Sequence, residues 1–409
     1  MPGKMVRIPP SLCVKCRGAK MLCGLSYCPV SIVDRVKKVY TFRGNSISGS
    51  SPPSLFVGRY GYPKINIYPS TPPFSGNTGY LEDESKWLSQ DLNDFISGRL
   101  SLLRGGIKVS VDAASNPDYR LQEIQVSSLS SNPVDVEMTV EKSFRDNIVL
   151  DENITPMGPS SPLKSIKFGN YHIDNRIEKL YYDKDLRASE GVISLYERGM
   201  GINGISKALS AGSLGTGKRR RIVPTRWSIT ATDKAISDRL VDEIKDYREI
   251  DSFEVYVRKT QGNLFVAILA PGQWMFEWGE SWFPGSTWNS FGRSVEIELD
   301  YEGYHGRKTY PEIGGCYYSS RLAVAEKYRD MKRTGSAMLW REIYPGFNLP
   351  VGVWYVRENV RELFRSKPER FDTVNDAIKY VSRFTAVDIK AWKAKSNNLK
   401  YLVSNLDNY

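Results

Sequence analysis

Cys13-Val-Lys-Cys16-Arg-Gly-Ala-Lys-Met-Leu-Cys23-Gly-Leu-Ser-Tyr-Cys28-Pro29 holds four of the five cysteines of this 409-residue chain; the fifth is Cys316. The spacing is C-x2-C-x6-C-x4-C. A Cys-x-x-Cys pair brings two sulfurs onto one ion, and the second pair closes a tetrahedron at S–metal distances of about 2.3 Å. Gly18 and Gly24 stand where the chain must turn around the ion, and Pro29 stops the knuckle. Four thiolates without histidine favour a closed structural Zn²⁺ site over a catalytic one, which keeps a position open. Iron–sulfur ligation and free or redox thiols are the alternatives. The spacing therefore predicts a small N-terminal four-cysteine zinc knuckle ahead of a larger body.

Basic side chains lie among and after the ligands: Lys15, Arg17 and Lys20, then Arg35, Lys37 and Lys38. The first 45 residues carry nine basic residues and one acid, Asp34, out of a whole-chain excess of +11. A knuckle that fixes cations on one surface suits phosphate contact; a stapled cap with solubilising charges is the plainer reading. Apolar residues make up 41% and charged residues 25%, which excludes a disordered, collagen-like or coiled-coil chain. The length calls for two or more domains. The longest apolar run, Leu264–Ala270, has seven residues, where a membrane span needs about 20. The N-terminus has no apolar signal region, so no membrane partner and a cytoplasmic location are expected.

The body mixes helix and strand periodicities. Leu55–Val57 and Ile65–Tyr68 read as strands around the turn Gly58-Arg-Tyr-Gly-Tyr-Pro63. With Arg59, Tyr60 and Tyr62, that turn suits either single-stranded nucleic acid or a plain hairpin. Ser85–Leu103 reads as one helix, and Ile107–Val111, Leu121–Val126 and Val134–Val140 as strands. Gly191–Gly212 resembles a helix-turn-helix, with an ordinary helical hairpin as the plainer reading. Gln273–Trp288 is aromatic-rich and reads as a buried junction or a surface for a partner or for bases. Ser319–Arg333 reads as a helix, Ala337–Ile343 and Gly352–Val356 as strands, and Arg357–Arg365 and Thr373–Phe384 as helices. The fold class predicted is α+β, mixed and multi-domain.

Two stretches carry candidate chemistry. Gly215–Thr230 holds Lys218, Arg219, Arg220, Arg221 and Arg226 with Trp227: cations to neutralise phosphates and an indole to stack on a base. The run Gly212–Lys218 fits most of a phosphate loop, but Arg219 stands where Ser or Thr must hold Mg²⁺. In Val295–Glu302, strand geometry places Glu296, Glu298, Asp300 and Glu302 on one face, about 6.7 Å between successive members. Such a row suits a metal-dependent nuclease, or simply the polar face of a half-buried strand. His172 and His305 have no triad-like context.

On these motifs the chain resembles the archaeal Nre DNA repair protein family. The carriers are the cysteine knuckle, Phe56-Val-Gly-Arg-Tyr-Gly-Tyr-Pro63, Arg220-Arg-Ile-Val-Pro-Thr-Arg-Trp-Ser-Ile-Thr230 and Pro350-Val-Gly-Val-Trp-Tyr-Val-Arg-Glu-Asn-Val360. The resemblance implies a four-cysteine zinc finger, an Nre N-terminal and an Nre C-terminal domain; with a composition break at about Pro284 to Arg293, the bounds expected are 1–40 for the knuckle and basic segment, 41–285 and 286–390 for the two domains and 391–409 for a tail. It also implies a role in the DNA damage response with DNA and other repair proteins as partners. Some members end in a motif for the sliding clamp (PCNA). Aligning Leu399 with its aliphatic position puts Ser396 where Gln belongs and Leu402-Val403 where aromatics belong, a poor match. The resemblance supplies no catalytic residue. The function expected is DNA repair through a zinc knuckle and DNA-contacting basic segments (Lys218, Arg219, Arg220, Arg221, Arg226, Trp227, Arg59). A nuclease built on Glu296, Glu298, Asp300 and Glu302 is the alternative, and an RNA-associated protein a third reading.

Overall fold

Pro10–Cys16 forms α1, with proline at its first position, where no backbone donor is needed. It stops at Arg17, whose left-handed conformation (φ 50°) lets its N–H return to Cys13 O. The computed structural model describes residues 8–18, 20, 22–23, 42, 44–144, 148–260, 262–347 and 349–406. The chain divides into two units, Ile32–Ile236 on one side and Met1–Ser31 with Ser237–Tyr409 on the other.

The unit Ile32–Ile236 is built on one sheet. Its strands are β1 (Ser46–Ser51), β2 (Ser54–Val57), β3 (Lys64–Thr71), β4 (Leu103–Ser110), β5 (Val134–Val140) and β6 (Ser160–Phe168), in the order β1-β5-β6-β4-β3-β2. All pairs are antiparallel except β4 with β6. β5 buries Val134, Val136, Met138 and Val140 and exposes Asp135 and Glu137, the period of a strand with one wet face. Its helices are α2 (Glu84–Trp87), α3 (Leu92–Leu100), α4 (Tyr119–Ser127), α5 (Asn175–Tyr182), α6 (Ala188–Glu197), α7 (Ile202–Ser210) and most of α8 (Thr225–Ile244), within which the unit ends.

Two expectations change here. The helix expected over Ser85–Leu103 is broken in two, because Asp83 and Asp91 each cap a separate start and the chain leaves for β4 at Leu103. The strand expected at Leu121–Val126 is helical: Asp118 accepts from Leu121 N–H (2.8 Å), and Leu121, Ile124 and Gln125 fall on one buried face. The expected helical pair does form, as α6 and α7 around Gly199, whose φ of 76° makes the turn.

The second unit carries β7 (Phe253–Thr260), β8 (Asn263–Ala270), β9 (Met275–Trp282), β10 (Glu296–Glu302), β11 (Ser336–Ile343) and β12 (Glu369–Phe371), in the order β10-β9-β11-β8-β7-β12. Only β9 and β11 run parallel among the described pairs. Its helices are α9 (Cys316–Met331), α10 (Trp354–Arg365), α11 (Val374–Val381), α12 (Ile389–Lys395) and α13 (Asn397–Leu406). The apolar run Leu264–Ala270 is β8, buried throughout because both faces are covered. Leu264, Val266 and Ile268 share one core with Val374, Ile378, Trp392 and Leu399; on the other face Phe265 meets Tyr355 and Phe276 meets Tyr317. Trp274, Phe276, Trp278, Trp282 and Trp288 are buried, so the aromatic stretch is core rather than a surface for bases. Gly352–Val356 is not a strand: the chain turns and enters α10 at Trp354. Position 285 lies between β9 and β10, which pair in this sheet. Among the described residues no helix is long and apolar enough to cross a membrane.

Candidate nucleic-acid interface

The two motif segments that stand furthest apart in the first unit meet at the start of α8. Val57 N–H donates to Thr225 Oγ1 (2.8 Å), which ties the end of β2 to the first turn of α8. Behind it Arg104 is sandwiched between the rings of Phe56 (4.9 Å) and Tyr68 (5.1 Å) and donates to Gly158 O (2.7 Å). Burial pulls that guanidinium down to about 10. The β2–β3 turn closes through Lys64 N–H to Gly61 O (2.9 Å). Gly61 sits at φ 86°, where a Cβ would meet Lys64 O at 2.8 Å, so only glycine fits.

On this support the turn presents aromatic rings to solvent, with Arg59 half-buried beside them. The Arg59 guanidinium lies over the Tyr60 ring at 5.2 Å. The Tyr62 ring packs against Trp227 at 5.3 Å. Tyr60, Tyr62 and Trp227 are 74%, 54% and 44% exposed, large values for rings of this size. Lys218, Arg219 and Arg221 are exposed as well. Arg221 pairs with Asp112 at 2.5 Å, both partners being open to water. Such a pair contributes little and exchanges readily for a phosphate.

Two of the expected contacts are committed elsewhere. Arg220 is 7% exposed and donates to Gly215 O (2.9 Å), Leu180 O (3.2 Å) and Asp183 O (2.7 Å), with its plane over Tyr181. Burial lowers its pKa, against the pull of Tyr181 and Asp183. Arg226 donates to Asp151 and, at 2.7 Å, to Glu152, which neutralise it. Asp112, Asp151 and Glu152 were not legible as partners, since nothing in the local pattern links them to the basic run.

The helical pair is structural. No residue of α7 is exposed, and Ile202, Ile205, Ala208 and Leu209 face the interior. Its lone cation, Lys207, donates to Pro53 O (2.7 Å), and burial lowers its pKa. A helix in that setting does not enter a DNA groove.

In the second unit, the cysteine segment reaches the interior. Cys13 and Cys16 lie one turn apart on α1; Cys23 is half-buried; Cys28 lies outside the described residues. Among the described residues no group of three or more His, Cys, Asp or Glu is placed to hold a metal ion. Arg17, expected on the knuckle surface, is instead buried: it pairs with Glu280 (3.0 Å), donates to Cys316 Sγ (3.4 Å) and lies over Trp282. Arg341 approaches the same carboxylate at 3.5 Å. Lys20 Nζ donates to Glu312 O.

The carboxylate row forms as expected on β10, with Glu296 half-buried at its start, but the other three members face protein cations and donors. Glu302 accepts from Arg321 Nε (2.8 Å), Trp274 Nε1 (2.9 Å) and Tyr317 OH (3.1 Å). Asp300 accepts from Arg307 (2.8 Å) and Ile313 N–H (2.9 Å). Glu298 lies 3.9 Å from Lys15, and burial raises its pKa. Carboxylates occupied in this way do not converge on an open cation pocket. The C-terminal segment is likewise used by the fold. Buried Glu277 accepts from Ser396 Oγ and from Asn397 N–H (2.7 Å), capping α13, and Leu399 is 2% exposed within the core of this unit. The position aligned with the clamp motif's aliphatic anchor is thus an interior residue.

Two mixed-sheet units, one of which exposes the Tyr62–Trp227 ring pair and three cations, define an α+β protein. The family models "Archaeal Nre, N-terminal" and "Archaeal Nre, C-terminal" match residues 22–289 and 302–409. The chain belongs to the archaeal Nre family. It is 43% identical over 389 residues to the DNA repair protein NreB of Archaeoglobus fulgidus, covering 95% of this chain and 97% of that one. DNA repair protein NreA of the same organism is 36% identical (93% and 95% covered), and that of Haloferax volcanii 33% (87% of each). No solved structure matches.

Proposed function

We propose that this chain acts in DNA repair and holds DNA on the surface formed by Arg59, the Tyr62–Trp227 ring pair, Lys218, Arg219 and Arg221. The repair role is supported by the relatives, each named a DNA repair protein. The observation that carries the DNA contact is the exposed ring pair: two large rings are packed together and open to solvent, and Lys218, Arg219 and Arg221, within ten residues of Trp227 in sequence, are exposed in the same unit. Cations supply the sequence-independent attraction to phosphate, and rings stack on any unpaired base. Arg220 and Arg226 position the segment from inside.

Zinc is part of the same reading, with Cys13, Cys16, Cys23 and Cys28 as its ligands. The support is the spacing of the cysteines and the placing of Cys13 and Cys16 on one turn of α1. The ion would serve as a staple for a segment too short to hold itself.

The test is fluorescence anisotropy of labelled single-stranded and duplex DNA with the full chain, titrated across about 50 to 200 mM salt. Saturable binding that weakens steeply with salt is expected. Absence of saturable binding to either form would overturn the DNA contact.

A further inference from the structure

The second unit holds an exposed aromatic and cationic turn of its own. β10 runs out of the sheet into Gly303-Tyr-His-Gly306, closed by Gly306 N–H donating to Gly303 O (2.9 Å). Tyr304 and His305 form the tip; both are exposed, and their rings meet edge-on at 5.4 Å. Lys245, from the end of α8, places Nζ 4.8 Å from the Tyr304 ring. Lys308 and Tyr310 follow, both exposed, with Tyr310 packed on Tyr318 at 6.1 Å.

The base of this turn is rigid. Arg307 donates to Asp300 (2.8 Å) and to Tyr301 O (2.7 Å) and lies over Tyr317. Asp300 and Glu302, the carboxylates beneath, are spent on Arg307 and Arg321. Lys245 shares its charge with Asp242 at 3.8 Å, a partner open to water, and Lys308 faces solvent. The tip therefore offers rings and positive charge, with its nearest strand carboxylates neutralised. No aliphatic side chain stands between Tyr301 and Tyr310. A protein hot spot would set such rings in an apolar, water-excluding surround, which this turn lacks.

We propose that this turn is a second site for single-stranded nucleic acid, with one base stacked on Tyr304 and the flanking phosphates on Lys308 and Lys245. A ring held at the tip of a fixed turn has lost its conformational freedom in advance, so stacking costs little ordering. Base stacking is tolerant of sequence, so the site adds affinity rather than selectivity. It shares with the reading above only the class of ligand, and the experiment separates the two.

The probe is oligo(dT) substituted with 5-iodouracil, photo-crosslinked to the full chain, with adducts mapped by mass spectrometry and affinity read by anisotropy. Adducts at Tyr304 or Tyr310 are expected. Tyr304→Ala with Lys308→Ala should lose the Tyr304 adduct, weaken binding roughly tenfold and lower the salt slope by about 0.7. Its unfolding midpoint should hold, because both side chains are exposed. Tyr304→Phe keeps the ring and should keep the affinity; a loss there overturns stacking. Adducts confined to residues 56–63 and 218–227, with the double variant binding normally, overturn this site and leave the first intact. No binding of the probe at all overturns both.

Discussion

Replacing Lys218, Arg219 and Arg221 together with alanine tests the first surface most directly. All three are exposed, so the variant keeps the fold. Each cation on a single strand contributes about 0.7 to the salt slope, so three contribute about two units. Arg221 must first give up Asp112; because that pair is solvated on both sides, the exchange costs a fraction of one contact. Two units of slope at about 0.1 M salt amount to roughly 100-fold in affinity, or about 2.8 kcal/mol. The control is Arg220→Ala, which strips three carbonyls of their donor. It should cost about 2 to 4 kcal/mol of stability and leave the slope unchanged. Anisotropy titrations at several salt concentrations, with denaturant melts alongside, read both quantities. If the triple variant keeps its slope, or if Arg220→Ala alone flattens it, the division of this basic run into outward and inward cations is wrong.

Three further outcomes are expected. Purified chain should carry about one zinc ion, lost in Cys13→Ser and Cys28→Ser, by atomic absorption; wild-type chain free of zinc would sink the knuckle. Leu399→Ala should cost about 2 to 4 kcal/mol in a denaturant melt, because the residue is buried in the core of the second unit; a change near zero would mean that the tail is not part of the fold. Burial pushes Glu82 up, but Arg99 and Lys207 outweigh it and hold the carboxyl below its usual 4.5. A depressed folded pKa means that the stabilisation is present above the unfolded value and is lost as pH falls through the folded one. Acid titration of stability below pH 4.5 should therefore be shallower in Glu82→Gln than in wild type; identical curves refute the coupling.

Much of the architecture was readable locally. The alternation Val134–Val140 is set by a sheet with one wet face, and the pattern survives intact as β5. The seven apolar residues of Leu264–Ala270 signalled burial, although not which elements would cover them. Leu121–Val126 misled because its apolar spacing suits both periods, and the decision came from Asp118, three residues upstream, capping a helix. Gly352–Val356 misled for a similar reason: its apolar residues begin a helix that packs on the sheet.

The residue types needed for phosphate and base contact, the knuckle spacing and the strand that aligns Glu296 to Glu302 all follow from sequence, because each depends on near neighbours. Which cations face outward does not. Arg220 and Arg221 are adjacent, yet one is enclosed by three carbonyls and the other faces solvent beside Asp112. The same holds for Arg17, drawn inward by Glu280 from 263 positions away in the chain, and for Glu302, claimed by Arg321. A buried charge requires an opposite charge or dipole, and that partner is chosen by packing between distant segments. Tertiary structure alone therefore decided which charged residues hold the protein together and which remain open to a ligand.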